Sequence, residues 1–185
     1  MSPQTTPHAS QIRLLPPNDV LDCLDAPACA PLLSVLDSAQ IAALPPSDQL
    51  AEVALRTAIA MTNPQTRMPS PPAICLDLQR SGDTVRMAPS GAVAAILTSR
   101  YTDVHESREC EVVSPRTVDW HLQIRAQKRS AWSVVAELPT LTSDSTATGA
   151  TEYYVAALWA AGWTCTYGRR SGIWRPVRCV MKWIS

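Results

Sequence analysis

The chain has 185 residues, and its 16 Lys and Arg balance its 16 Asp and Glu, so the formal net charge is zero. This balance excludes a strongly basic tail and an acidic disordered tail, and a hydrophobic content of 46% argues against full disorder. Every apolar run is shorter than the roughly 18 residues of a membrane span, and residues 1–10 lack the features of a signal peptide. We therefore expect a soluble, intracellular, globular protein with no membrane partner.

The composition changes near residue 72. Twelve of the 16 prolines lie in residues 1–72, whereas all Tyr and Trp residues lie after residue 100. Because aromatic side chains supply much of the buried area of a core, the C-terminal part should build the main core. The sequence predicts an N-terminal, Pro-rich arm of short helices over residues 1–71 and a β-rich domain over residues 72–185.

Four helical pieces are predicted within the arm. Three short ones occupy residues 18–24, 30–36 and 39–44. Pro45 and Pro46 end the third piece, and the longest follows over residues 48–62. Because a helix of this length is marginal alone, its apolar face must pack on the domain or on another chain. We assign this face to an assembly contact, made by Leu50, Val53, Ala54, Ala58 and Met61.

Beyond residue 72 the apolar period changes from 3.6 to 2, which predicts strands. They are expected over residues 74–79, 84–87, 110–113, 117–125, 131–138, 163–167 and 173–184. In the last strand, Val177, Cys179, Met181 and Trp183 should share one face, and Pro176 requires an edge position or a bulge.

Three other segments complete the predicted domain. Residues 92–99 fit either a helix or a buried strand, residues 139–151 form a loop, and residues 152–161 form a buried helix. Seven or eight strands at this spacing indicate a mainly β fold, either a sandwich, a barrel or a jelly roll, behind the helical arm. An α+β fold is the alternative.

The cysteines and histidines predict no metal site. No two of the six cysteines form a C-x-x-C pair, so we expect reduced thiols that act as small apolar residues. His8, His105 and His121 are far apart in the sequence, whereas a zinc site needs four converging ligands. The sequence contains no phosphate-binding loop or dinucleotide fingerprint, and we predict no cofactor.

Basic residues accumulate near the end of the chain, where no acidic residue follows Glu152. Arginine pairs with phosphates in a forked geometry, and the interleaved Trp174 and Trp183 could stack on bases. The alternative is a solvated strand face whose Trp residues belong to the core. The candidate nucleic-acid-binding residues are Arg169, Arg170, Arg175, Arg178 and Lys182.

A short polar stretch holds Asp103, His105 and Glu106. An Asp–His pair can orient a general base. No Ser or Cys nucleophile motif accompanies the pair, so we predict no catalytic residues and no enzymatic activity.

The segment at residues 113–122, Val-Ser-Pro-Arg-Thr-Val-Asp-Trp-His-Leu, resembles the recognition helix of LuxR-type helix-turn-helix regulators. This resemblance implies a DNA-binding regulator. As a strand, however, Val118, Trp120, Leu122 and Ile124 share one face, which a helix would not allow. The regulator is therefore the alternative function.

From residue 95 onward, the order of features is similar to that of the jelly-roll coat proteins of tymoviruses. The shared features are a Leu-Thr-Ser-Arg-Tyr stretch at 97–101, a strand ending in Ser-Pro at 110–115, and residues 132–139 before a Ser/Thr-rich loop. A Gly-aromatic turn at 162–163 and a closing strand with a cysteine at 177–180 complete the set. The resemblance implies a coat or shell subunit of a small icosahedral virus.

We therefore expect a structural protein that assembles with copies of itself, located in the virion and the host cytoplasm, with packaged RNA as a further partner. Shell subunits need a rigid β-domain and an arm that reaches a neighbour. A neutral net charge avoids strong repulsion between subunits. The third hypothesis is a monomeric accessory protein.

Overall fold

The computed structural model describes residues 21–22, 38–61, 73–101, 103–114, 120–156 and 159–184. These residues are mainly β, which confirms the predicted fold class. The strands are β1 (Leu21–Asp22), β2 (Ala73–Gln79), β3 (Arg86–Met87), β4 (Val104–Glu106), β5 (Cys110–Val113), β6 (His121–Ile124), β7 (Arg129–Glu137), β8 (Thr140–Ser143), β9 (Thr146–Ala156), β10 (Trp159–Arg170) and β11 (Ile173–Ile184).

Within the described residues, three α-helices precede or interrupt the strands: α1 (Ser38–Ala42), α2 (Pro46–Met61) and α3 (Gly91–Arg100). Pro46 occupies the first position of α2, where its missing N–H is not needed. The undecided segment at 92–99 is the helix α3, and the Ser90 hydroxyl caps it by accepting the backbone N–H of Val93 at 3.3 Å. The helical pieces predicted at 18–24 and 30–36 lie outside the described residues, except that Leu21–Asp22 forms a strand.

The described strands belong to one mixed sheet, with the order β1-β11-β10-β9-β7-β2-β3. β4 also pairs with β2, β8 pairs with β9, and β5 and β6 extend the sheet beside β7. β2 runs parallel to both β7 and β4. Parallel neighbours need a crossover connection, which α3 provides between β2 and β4. A jelly roll has two facing antiparallel sheets, so a single mixed sheet replaces the expected sandwich or jelly-roll arrangement.

Helix α2 packs across one face of this sheet and is buried along most of its length. The residues assigned to an assembly contact are part of this packing: Leu50, Val53, Ala54, Ala58 and Met61. Their apolar surface is covered by the chain's own strands, so the structure corrects the assignment to a contact with a neighbour. It also places α2 in one packed unit with the strands beyond residue 72.

A buried ion pair connects α2 to β11. The side chains of Glu52 and Arg56 are fully buried, and Arg56 Nε donates to Glu52 Oε1 at 2.8 Å. Arg56 Nη2 donates in addition to the carbonyl oxygen of Trp174, at 3.2 Å. Breaking a buried pair leaves an uncompensated charge, so this contact holds the helix against β11.

The predictions for residues 139–161 are wrong. The expected loop at 139–151 is β8 and the first half of β9, and the expected helix at 152–161 is the end of β9 and the start of β10. β9 pairs with both β7 and β10, and Tyr153 packs on the helix side while Tyr154 faces the other side. Small and polar residues occupy both faces of β9, so its sequence has no apolar–polar alternation, and periodicity cannot distinguish such a segment from a helix.

Strand β11 has the predicted bounds but two bulges. Register shifts against β10 leave Val177 and Lys182 as extra residues. The bulge expected from Pro176 is confirmed, because Pro176 directly precedes the first of them.

The second bulge changes which face of the sheet Trp183 occupies. Cys179 and Met181 pack on the helix side, within or against the main core. Trp183, after the extra residue Lys182, lies over Gly162 on the opposite side. The predicted common face of the last strand is therefore wrong, since a bulge reverses the alternation of every following side chain.

The four cysteines in the described part of the chain form two disulfides, which corrects the expectation of reduced thiols for these four. Cys75 on β2 bonds to Cys110 on β5, and Cys165 on β10 bonds to Cys179, its direct partner on β11. All four side chains are buried. The partners are 35 and 14 residues apart, and spacing alone does not reveal disulfide connectivity.

We expect Glu52→Gln to lower the free energy of unfolding by about 3–5 kcal/mol, because Arg56 would remain buried without a compensating charge. Urea unfolding at neutral pH measures the loss. The matched control is Glu106→Gln, which removes a carboxylate 2.8 Å from the exposed Arg108 and should cost at most about 1 kcal/mol. Equal losses in the two variants would contradict the role given to the buried pair.

Peptide mapping without reduction should recover Cys75 joined to Cys110 and Cys165 joined to Cys179. Replacing Cys165 and Cys179 together by Ser should cost about 3 kcal/mol of stability, because the bond closes a loop of 14 residues in the unfolded chain. Alkylation of Cys165 in the folded, oxidised protein would show that this disulfide is absent.

Candidate nucleic-acid interface

The face of the sheet opposite the helices carries a row of residues in strand register. Asp77 is the partner of Val135, Val135 of Glu152, Glu152 of Gly162, and Gly162 of Trp183. Partners on neighbouring strands project to the same side of a sheet, so these five residues lie on one face. We call it the distal face. It is the surface on which side chains from β2 to β11 can act together.

Three side chains on the distal face form a continuous row, which we call the stacking row: Trp183, Tyr154 and Arg86. The ring centroids of Trp183 and Tyr154 are 6.2 Å apart, and the guanidinium carbon of Arg86 lies 5.7 Å from the Tyr154 centroid. A Cβ atom at Gly162 would lie 2.5 Å from the indole Nε1 of Trp183, so only glycine allows the indole to lie there. Trp183 is 37% exposed and the Arg86 side chain 46% exposed. The row therefore reaches solvent.

The orientation of Tyr154 is set by Glu152. The phenol donates a hydrogen bond to Glu152 Oε2 at 2.6 Å. Burial first, and then the neighbouring carboxylate, raise the pKa of Tyr154 to about 12. The hydroxyl thus remains a donor at neutral pH, and the ring is held between Trp183 and Arg86.

Arg86 also contacts a polar cluster at the β2 side of the distal face. Its Nη1 donates to Asp77 Oδ2 at 3.4 Å and to the Ser133 hydroxyl at 3.3 Å. Asp77 is only 5% exposed, and burial raises its pKa despite the opposing hydrogen bond from Ser107 and the charge of Arg86. A carboxyl group whose charged form is destabilised by burial is often part of a binding site.

The five basic residues predicted to bind nucleic acid lie on the β10–β11 hairpin. Arg169 and Arg170 are exposed at its tip, Arg178 and Lys182 are exposed along β11, and Arg175 is half-buried. Strand register places Arg175 and Arg178 on the distal face with Trp183, and Lys182 directly precedes Trp183. The structure thus brings part of the predicted set beside the stacking row.

Sequence reasoning missed Arg86, Tyr154 and Asp77. Tyr154 was assigned to a buried helix. A helical assignment gives no indication of the neighbours that Tyr154 has on β7 and β10. One signal was present, because the β-branched residues Thr146, Thr148 and Thr151 precede it and favour a strand. Arg86 belongs to a two-residue strand whose contacts arise only from the sheet.

The Asp–His pair predicted near residue 105 is assembled, but in a different arrangement. His105 Nδ1 lies 3.0 Å from Glu109 Oε2, and His105 Nε2 lies 3.7 Å from Asp103 Oδ1. Asp103 also accepts a hydrogen bond from Arg129, which lowers the pKa of this carboxyl. Glu106 pairs with Arg108 instead. The imidazole is held between two carboxylates, which is the geometry of a structural ion-pair cluster.

The segment compared with a recognition helix has strands at its described ends. Val113 and His121 are antiparallel partners in the β5–β6 pair, and Leu122 continues β6. Residues 115–119 lie outside the described residues. The described ends therefore favour the strand interpretation of this segment.

Comparison of the chain with known protein families, curated proteins and solved structures finds no match. Within the described ranges, no three His, Cys, Asp or Glu side chains converge as a metal site would require. None of the helices that the structure describes has the length and apolar character to cross a bilayer.

We expect Asp77→Asn to raise the free energy of unfolding at pH 7. The folded-state pKa of Asp77 lies above its ordinary value of 3.8, so its stabilising contribution is complete below that value and is lost as the pH rises through the folded pKa. Asn cannot ionise and avoids this loss, while the half-exposed Arg86 keeps water as a partner. Urea unfolding at pH 7 and at pH 3 should show a gain that disappears in acid. A loss at pH 7 would contradict the dominance of burial.

Proposed function

We propose that this chain is a structural coat subunit that binds single-stranded RNA on its distal face and assembles with copies of itself. The observation that carries the proposal is the stacking row of Trp183, Tyr154 and Arg86. Proteins that bind single strands combine aromatic side chains, on which bases stack, with a positively charged groove that follows the backbone. The distal face offers both components.

The charges around the stacking row support this assignment. Arg178 and Lys182 are exposed on β11, and Lys182 directly precedes Trp183. Lysine and arginine heads neutralise phosphates. The carboxylates on the same face are engaged by neighbours, Glu152 by Tyr154 and Asp77 by Arg86. Because the net charge of the chain is zero, we expect phosphates to be attracted mainly to this face. We therefore expect the affinity for RNA to be moderate.

The disulfides support the structural role. Disulfides persist in oxidising surroundings, which include the surfaces of virions, and cytosolic thiols are usually kept reduced. Two buried disulfides that connect β2 to β5 and β10 to β11 suit a subunit that must survive outside a cell. They accord with the part of the proposal that places the chain in a virus particle.

Strand β1 supports the assembly role of the arm. It belongs to the arm in sequence and adds two residues to the outer edge of β11, opposite Cys179 and Arg178. Strand addition to a sheet edge is a common way for one chain to bind another. The same pairing, made to the β11 edge of a neighbouring copy, would tie two subunits together without using the buried face of α2.

The RNA-binding role is tested by fluorescence anisotropy with a short polyuridine oligonucleotide. Trp183→Ala should weaken binding roughly five- to hundredfold, since stacking of one base is worth about 1–3 kcal/mol. Lys182→Gln should lower the slope of log K against log salt by about 0.7, the value for one phosphate contact on a single strand. Lys128→Gln, which removes the same charge in the turn after β6, is the matched control and should leave the slope unchanged. Equal effects of Lys182→Gln and Lys128→Gln would contradict a binding site at β11.

The assembly role is tested by light scattering after gel filtration, with the ultraviolet absorbance ratio recorded across each peak. The full chain should form large, uniform particles that carry nucleic acid. Removal of residues 1–37, which retains the buried Ile41 of α1, should leave a soluble, folded subunit. Particles formed by the truncated chain would disprove the tie through the arm. A full chain that binds RNA but remains monomeric would disprove the coat role alone.

A further inference from the structure

A small cavity opens at the β2 side of the distal face, next to the stacking row. Its volume is about 170 Å³, which is the space of about five or six water molecules at ~30 Å³ each. It therefore has room for one planar base and not for a whole nucleotide. The lining residues that matter here are Asp77, Arg86, Val112, Leu122, Cys75 and Cys110.

We infer that this cavity binds one guanine base of the single-stranded RNA. The inference rests on the proposed function and adds base recognition to it. Apolar walls with a few convergent polar groups are typical of small-molecule sites. Here the walls are Val112, Leu122 and the disulfide between Cys75 and Cys110. The polar lining residues are Asp77, Arg86, Ser107 and Glu111, of which Glu111 is engaged by Gln123 and Lys128.

The hydrogen-bonding groups match guanine in particular. An ionised carboxylate offers about four acceptor positions, and at Asp77 the described partners are Arg86 and Ser107. The Watson–Crick edge of guanine presents two adjacent N–H donors beside a carbonyl oxygen. The carboxylate can accept both donors, and a guanidinium N–H of Arg86 can donate to the carbonyl. Adenine, cytosine and uracil each place an acceptor where guanine has one of these donors.

Arg86 links the cavity to the stacking row. The guanidinium lies against the Tyr154 ring on one side and within hydrogen-bonding distance of Asp77 on the other. A strand with a base stacked on the exposed Trp183 therefore passes over Tyr154 and Arg86 to the cavity mouth. Val112, which is 49% exposed, forms the outer wall at that mouth.

The test compares polyuridine oligonucleotides that carry one central guanine, inosine or adenine. Inosine lacks the exocyclic amino group of guanine and removes one of the two donors. The wild-type protein should bind the guanine oligonucleotide roughly five- to hundredfold more tightly than the adenine one, as for other two-bond base contacts. Inosine should fall between them. Equal affinities for guanine and adenine, with polyuridine bound, would overturn the inference and leave the proposed function standing.

Two variants locate the preference in the cavity. Asp77→Asn should abolish the preference for guanine over adenine, because the amide has one acceptor oxygen in place of two. Val112→Trp changes an exposed wall, obstructs the mouth without touching Asp77, and should have the same effect. A guanine preference that survives both substitutions would overturn the inference. Failure of the wild type to bind any oligonucleotide would overturn the proposed function together with it.

Free guanosine monophosphate distinguishes the source of the base. It should compete with the guanine oligonucleotide only weakly, because a single nucleotide gains nothing from Trp183 or from the basic residues of β11. A free nucleotide that binds as tightly as the oligonucleotide, with an affinity sensitive to Asp77→Asn, would show a nucleotide site and overturn the assignment to RNA.

Discussion

A buried guanidinium determines which side of the sheet is available for function. Arg56 is fully enclosed, paired with Glu52 on its own helix and bonded to the Trp174 carbonyl of β11. Removing a partner of a buried charge strongly lowers the stability of the fold, so α2 stays packed across one face of the sheet. The proposed binding surface therefore lies on the other face, where the strands, and not the helices, supply the side chains.

The distal face has two parts with different physical character. Near β2 it is shielded from solvent, because Asp77, Ser133 and Val135 are buried. Near β11 it is more exposed to solvent and richer in aromatic side chains. Arg86 belongs to both parts, because its guanidinium contacts the carboxylate of the first and the Tyr154 ring of the second. A substitution at Arg86 would therefore disturb the proposed base recognition and the proposed stacking together, whereas Asp77 and Trp183 each belong to one of the two parts.

The sequence was sufficient for elements whose pattern is local. The alternation of Ile74, Leu76 and Leu78 located β2, the proline pair and the apolar stripe located α2, and Ser171 with Gly172 located the final turn. The class of fold followed from these. What it could not show depends on contacts between distant segments. The connectivity of Cys75 with Cys110, and the pairing of β9 with both β7 and β10, arise only once the sheet is assembled.

The candidate site was only partly visible for the same reason. A count of charges located the basic hairpin, since Arg178 and Lys182 lie close together in sequence. The stacking row unites residues from β3, β9 and β11, and no local pattern connects Arg86 with Tyr154 and Trp183. The expected use of α2 as a contact between subunits was overturned because the helix has its own sheet to cover.

The bulge at Lys182 makes the site sensitive to the number of residues as well as to their identity. Along β11, side chains alternate between the helix side and the distal face. The extra residue Lys182 shifts this alternation by one position just before Trp183. An insertion of one small residue between Cys179 and Trp183, with the bulge retained, would keep every aromatic and basic side chain in the sequence and still turn the indole toward the core. Related chains could therefore share the composition of this hairpin and differ completely in the surface it presents.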